Sequence, residues 1–199
     1  MKKIVFLSLV VTLLCLSPPT VVMASVPIWS DGFEASSLLP TWDRADAPWK
    51  SLASAQAASV GSRGGDLQGP TTTEGARLAK TVSLAGYQDA QVQFDFFVRG
   101  ALESGDHFMV CSTVAAGATE VVVADYSAVP VSTAWQTITL DLPVSLANDP
   151  TAQIIFCGIF DGTTDRVAID QVIVSATPVP EPSLVWLAVT GLTILVRKR

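Results

Sequence analysis

The segment Ala90–Arg99 constrains the fold more than any other. Val92, Phe94, Phe96 and Val98 alternate with Gln91, Gln93, Asp95 and Phe97, a period of two that buries one face of a strand and leaves the other to solvent. A strand of that kind needs hydrogen-bonded neighbours and a second layer over its apolar face. Trp135–Leu142 repeats the pattern, with Ile138, Leu140 and Leu142 turned in and Thr137, Thr139 and Asp141 turned out. Gln153–Phe160 is almost continuously apolar, as expected of a central strand. Further strands are predicted over Ala76–Leu84, Asp106–Thr113, the valine-rich Thr119–Tyr126 and Arg166–Val174, with a short opening strand in Val26–Phe33. Thr119–Tyr126 is expected to pair with its predecessor across Ala116-Gly117. Glu34–Pro70 reads as irregular, its alanine-rich part Ser51–Ser59 able to form a turn or two of helix, and Thr177–Pro180 reads as a proline-rich linker. Short strands at regular spacing predict an all-β chain: a single jelly-roll β-sandwich of about eight or nine strands.

Both chain ends differ from this body. Met1–Ala24 has a basic start (Lys2, Lys3), an apolar stretch from Ile4 to Leu16, a Pro18-Pro19 break and small residues Val22 and Ala24. This is the layout of a secretory signal peptide cut after Ala24 by signal peptidase. The expected division is signal peptide 1–24, β-sandwich 25–177 and tail 178–199. The body, about 155 residues, is long enough for one domain with its own core. All eighteen acids lie between Ser25 and Pro182, and only seven of the twelve Lys and Arg do, so this part of the chain carries a net charge of −11. That excludes nucleic acid as a partner, since binding it needs clustered cations.

The tail reads VPEPSLVWLAVTGLTILVRKR: the stiff step Pro180-Glu181-Pro182, an apolar run within 183–196, and the basic end Arg197, Lys198, Arg199. The run is short for a bilayer span, which needs roughly 20 apolar residues, so a transmembrane segment and an interfacial one both fit. The cations suit a cytoplasmic stop. In order and position these three parts resemble the PEP-CTERM sorting tail of Gram-negative bacteria. The resemblance implies an exosortase that reads Pro180-Glu181-Pro182, a transient anchor in the inner membrane, and a mature protein passed to the cell surface or exopolysaccharide matrix.

Phe33-Glu34, Gly65-Asp66, Val167-Ala168-Ile169-Asp170 and the stretch from Ala85-Gly86-Tyr87 to Glu103-Ser104-Gly105-Asp106 are similar to MAM-type jelly rolls and related carbohydrate-binding sandwiches. The resemblance implies a structural calcium held by Glu34, Asp66 and Asp170, with hard oxygen ligands from separate segments. The sequence adds that Asp170 shares a parity with Ala168, Val172 and Val174, which points its carboxylate inward. Such a carboxylate requires a cation, an arginine or hydrogen bonds, unless a bulge at Asp170-Gln171 turns it out.

Cys111 and Cys157 are the only thiols of the body. They can form a disulfide in an oxidising compartment or stay buried and free. Phe97 interrupts the polar face of its strand and, with Trp135, is a candidate platform for stacking on a sugar ring; Trp49 and Tyr126 are further candidates. His107 is the only histidine, and the chain has no Gly-x-Ser-x-Gly elbow, zinc-ligand spacing, phosphate loop or dinucleotide fingerprint. The expected role is therefore non-enzymatic: structural or adhesive, binding exopolysaccharide or another surface protein. The rival readings are a secreted carbohydrate-active hydrolase and a ligand-free matrix component.

Overall fold

The computed structural model describes residues 23–114 and 118–180. The expected signal peptide up to residue 22, Ala116-Gly117, and the tail from Glu181, including Pro182, the apolar run and Arg197–Arg199, lie outside them. No helix among the described residues is long and apolar enough to cross a membrane.

Among the described residues eleven strands form two antiparallel sheets: β1 Val26–Asp31, β2 Arg44–Ala45, β3 Lys50–Ala53, β4 Arg63–Gln68, β5 Ala76–Val82, β6 Tyr87–Gly100, β7 His107–Thr113, β8 Val121–Tyr126, β9 Gln136–Asp141, β10 Ala152–Ile159 and β11 Arg166–Pro178. The first sheet runs β3-β4-β11-β6-β9, with β1 on β11 beyond the end of β4. The second runs β2-β5-β10-β7-β8. The chain is an all-β jelly-roll sandwich. The alternation in β6 is realised as expected: Val92, Phe94, Phe96 and Val98 are buried, while Gln93 is exposed and Asp95 and Phe97 half-buried.

The two inner faces meet through a file of aromatic rings. Phe94 lies 5.1 Å from Phe156 edge-on, Phe156 is 6.2 Å from Phe108, and Phe96 stacks 5.0 Å from Phe108. Trp42 closes one end, 6.0 Å from Phe156 and stacked 5.5 Å from Phe33. Its indole N–H is satisfied by Asp31 Oδ2 at 2.6 Å, as a buried tryptophan requires.

The irregular stretch is more ordered than its sequence suggests. Ser51–Ser59 forms no helix: Ser51–Ala53 belongs to β3, and Ala57 and Ala58 donate to the Ser54 carbonyl in a turn. The strand that follows, β4, lies within the stretch expected to be irregular and carries Gly64-Gly65. Here glycine permits close approach. A Cβ on Gly64 would lie 1.5 Å from the Ala57 carbonyl oxygen, and one on Gly65 would lie 2.7 Å from the Phe33 ring. The presumed linker is also strand, since β11 continues to Pro178 opposite Tyr87, and Val179 N–H donates to Gly86.

Candidate functional site

The outer face of the first sheet carries a cross-strand row. Ala168 of β11 stands opposite Phe97 of β6 on one side and Asp66 of β4 on the other, and Asp66 stands opposite Lys50 of β3. Beyond Phe97, just before β9, comes Trp135. Its ring centroid is 5.3 Å from that of Phe97, at an interplanar angle of 40°, and both rings are half-buried. The two aromatics singled out by sequence are thus neighbours on this outer face, and together they form the candidate platform. Trp49 and Tyr126 are not part of it. Trp49 is buried and donates its indole N–H to the Ala76 carbonyl, and Tyr126 packs on Phe96 and Phe108.

Polar groups flank the platform on both sides, fixed by the loop 54–62. On one side Asp95 accepts from Thr137 Oγ1 at 2.7 Å and from Ser59 Oγ. Asp170, opposite Asp95, accepts from the backbone N–H groups of Ser59 at 2.8 Å and Val60 at 3.0 Å. On the other side the fully buried Asp66 accepts from Arg99 Nη1 at 2.7 Å, Arg166 Nε at 2.8 Å and Arg166 Nη2 at 2.9 Å, with Lys50 Nζ at 3.6 Å. Gln56 of the loop accepts from Arg99 Nη2.

The expected calcium ligands are not brought together. Asp66 is held by two guanidinium groups and Asp170 by loop amides, while Glu34 accepts from Ser62 N, Ser62 Oγ and Arg63 N. Those hydrogen bonds hold the Glu34 carboxyl below the ordinary range. The bulge that the sequence left open at Asp170-Gln171 is present and overrides the inward parity of Asp170. The register shifts between Asp170 and Ile173, and Gln171 has φ 47°. The extra residue sends Val172 and Val174 into the core and leaves Asp170 on the outer face. Among the described residues, one group of three acids has ligand oxygens within 4.8 Å of one another: Asp106, Asp161 and Asp165. These are the hard oxygens available to a divalent cation, yet they already fasten their own loops. Asp106 accepts from Glu103 N and Asp161 N, and Asp165 from Gly162 N.

Cys111 and Cys157 are buried and free, with no disulfide between them. Cys111 stands opposite Ile155 and Cys157 opposite Met109, so the thiols are diagonal neighbours. That separation exceeds the Cβ–Cβ distance of about 3.8 Å that a disulfide needs. Burial pushes the Cys111 thiol up to about 11 and raises Cys157 as well. Both should therefore resist iodoacetamide at pH 8 in the folded protein and react within minutes in 6 M guanidinium. Fast alkylation of the native protein would contradict this packing. His107, the single histidine, bonds Asp125 at 3.0 Å in an exposed pair on the opposite sheet.

No protein-family model and no curated protein sequence matches the chain. Solved structures do. The K2 cleaved adhesin domain of Lys-gingipain aligns with a TM-score of 0.55 at 19% identity, covering 77% of this chain and 99% of that one. The K1 cleaved adhesin domain of Lys-gingipain from Porphyromonas gingivalis W83 aligns with a TM-score of 0.52 at 16% identity, over 76% and 97%. A xylan-binding domain of carbohydrate-binding module family 22 aligns with a TM-score of 0.49 at 20% identity, over 78% and 97%. At these identities the likeness to the adhesin domains is one of fold.

Proposed function

We propose that this chain is an exported surface or matrix protein whose sandwich binds polysaccharide on the outer face of the first sheet. The observation that carries the reading is the Phe97–Trp135 pair. Two large aromatics left half-exposed on the solvent face of a sheet offer apolar surface to the C–H face of a pyranose. The Asp95 carboxylate and the exposed Thr137 hydroxyl beside them offer hydrogen-bonding partners for its hydroxyls. The fold shared with adhesin domains agrees with this role. Binding without turnover is the corresponding expectation, because the functional groups around the rings are bound to one another rather than poised as an acid and base.

Affinity electrophoresis in gels containing hydroxyethylcellulose, xylan or galactomannan tests the reading. At least one polymer should retard the wild type, and Phe97→Ala/Trp135→Ala should bind it about tenfold more weakly, the loss of roughly 1.4 kcal/mol of stacking. Release of reducing ends would favour the hydrolase instead, and a double variant that migrates like the wild type in every gel would sink the platform.

The destination rests on the tail. β1 leaves Val26 opposite Ala176 of β11, so both ends of the sandwich emerge together and the Pro-Glu-Pro step follows directly on the last strand. Exosortase cleavage there would free the domain to the surface or matrix after signal peptidase has removed the leader. In the host, intact mass should show the wild type trimmed near Pro182, and Pro180-Glu181-Pro182→Ala-Ala-Ala full-length at the C-terminus in the inner membrane. If both remain uncut in that membrane, the tail is an anchor alone.

A further inference from the structure

The second sheet has its own concavity on its outer face, on the far side of the sandwich from Phe97. It is a cleft of about 620 Å³ lined by side chains of β2, β5, β7, β10 and the approaches to β2 and β8, within the 300–1,000 Å³ typical of small-molecule sites. Ala79 and Ile155, paired across β5 and β10, form its aliphatic base. Asp43, Arg44, Arg77, Glu120 and Gln153 stand around it.

The charges of this rim balance, two guanidinium groups against two carboxylates, and each is already neutralised. Arg44 is bound through Nε and Nη2 to Asp46, Arg77 through Nε to Glu120, and Asp43 to Lys80 Nζ and Thr81 N. An ion of either sign would meet side chains whose charge already has a partner, and would gain little net compensation. What the rim leaves open is a set of single hydrogen-bonding positions. Arg44 Nη1, Arg77 Nη2, Glu120 Oε2 and the half-buried side-chain amide of Gln153 bond to none of the described residues. Two cationic donors, one anionic acceptor and one group that does both converge on an uncharged base. That set matches hydroxyl groups, which donate and accept and bring no charge.

We infer that this cleft is a second carbohydrate site, taking the hydroxyls of a neutral sugar. The two sites face opposite directions, so one domain would hold two glycan strands and cross-link them. The cross-linking clause rests on the platform reading above; the cleft itself does not.

The test is a titration of the full chain in mild detergent, isotope-labelled so that the Gln153 side-chain amide reports locally. The probes are cellohexaose, xylohexaose and maltohexaose, with trigalacturonate as the charged comparison. At least one neutral hexasaccharide should shift the Gln153 amide in the wild type and in Phe97→Ala/Trp135→Ala alike, and trigalacturonate should not. Arg77→Met and Glu120→Gln should each weaken that response about tenfold with the folded spectrum unchanged; Glu120→Gln keeps the side-chain volume in case Arg77→Met perturbs packing over Cys157. If no neutral probe moves the amide, if trigalacturonate moves it equally, or if both variants titrate like the wild type, the cleft is not a sugar site. A Phe97→Ala/Trp135→Ala variant that binds all three sugars at wild-type affinity overturns the platform, while the Gln153 response decides the cleft separately.

Discussion

Asp66→Ala should lower the melting temperature of the domain by about 10 °C. Asp66 is fully buried and is the shared acceptor for two arginines, Arg99 and Arg166, whose side chains are 10% and 23% exposed. Removing one member of a buried ion pair costs roughly 3–5 kcal/mol, because the remaining charge keeps its desolvation and loses its partner. In a domain of this size 1 kcal/mol is about 2–4 °C. The two arginines are not equally able to recover. Arg166 is exposed enough to turn towards water. Arg99 is not: among the described residues its Nε has no partner, and Gln56 is the acceptor left to its Nη2. Asp66→Asn separates charge from shape, since the amide preserves the volume and one acceptor oxygen; it should fall between wild type and alanine. Asp66 and Arg99 are shielded from solvent, so 0.5 M NaCl should change the difference little. A shift under about 3 °C in thermal denaturation followed by near-ultraviolet circular dichroism would mean that the network contributes little.

The strands that position this network were legible where side-chain period alone decides structure. β6 alternates from Ala90 to Val98 and β9 over its whole length, β10 is apolar but for Gln153, and Phe97 stood out because it broke the polar face of its own strand. The errors have a common physical origin: the deciding partner is distant in sequence. β4 was missed because Gly64 and Gly65 are strand residues for the sake of the Ala57 carbonyl and the Phe33 ring above them. For Asp170 the parity alone pointed inward, and of the two outcomes the sequence allowed it is the bulge at Asp170-Gln171 that forms, reversing every parity after it. Carboxylates that looked like a cation set are satisfied by Arg99, Arg166 and the loop amides at Ser59 and Ser62. The cleft on the second sheet was invisible, since Arg44, Arg77, Glu120 and Gln153 come from four segments and none is unusual in its own. The faint signal was on β5, where Arg77 and Thr81 lie either side of Ala79 on one face.

Gly64→Ala should have an effect comparable to the loss of Asp66, by a different route. A Cβ there would lie 1.5 Å from the Ala57 carbonyl oxygen and 2.5 Å from its carbon. Both are backbone atoms, so no rotamer change relieves the contact. β4 cannot retreat, being paired with β3 and β11 on either side; the loop 54–62 must lift instead. Overpacking typically costs 1–3 kcal/mol, and lifting the loop adds the loss of its bonds to the sheet: Ser59 N and Val60 N to Asp170, Ser59 Oγ to Asp95, and Gln56 to Arg99. A total of about 3 kcal/mol follows, near the upper end of that range. The consequence reaches the proposed platform, because Asp95 and Arg99 lose the groups that orient them beside Phe97. Two readouts should therefore move together in Gly64→Ala. Limited proteolysis should cut within 54–62 under conditions that leave the wild type whole, and polysaccharide retardation should weaken although Phe97 and Trp135 are untouched. Phe33→Leu, which loosens the packing over Gly65 from the core side, should lower stability without exposing the loop. If Gly64→Ala instead resists the protease and binds like the wild type, the loop does not depend on glycine at this position and does not organise the face.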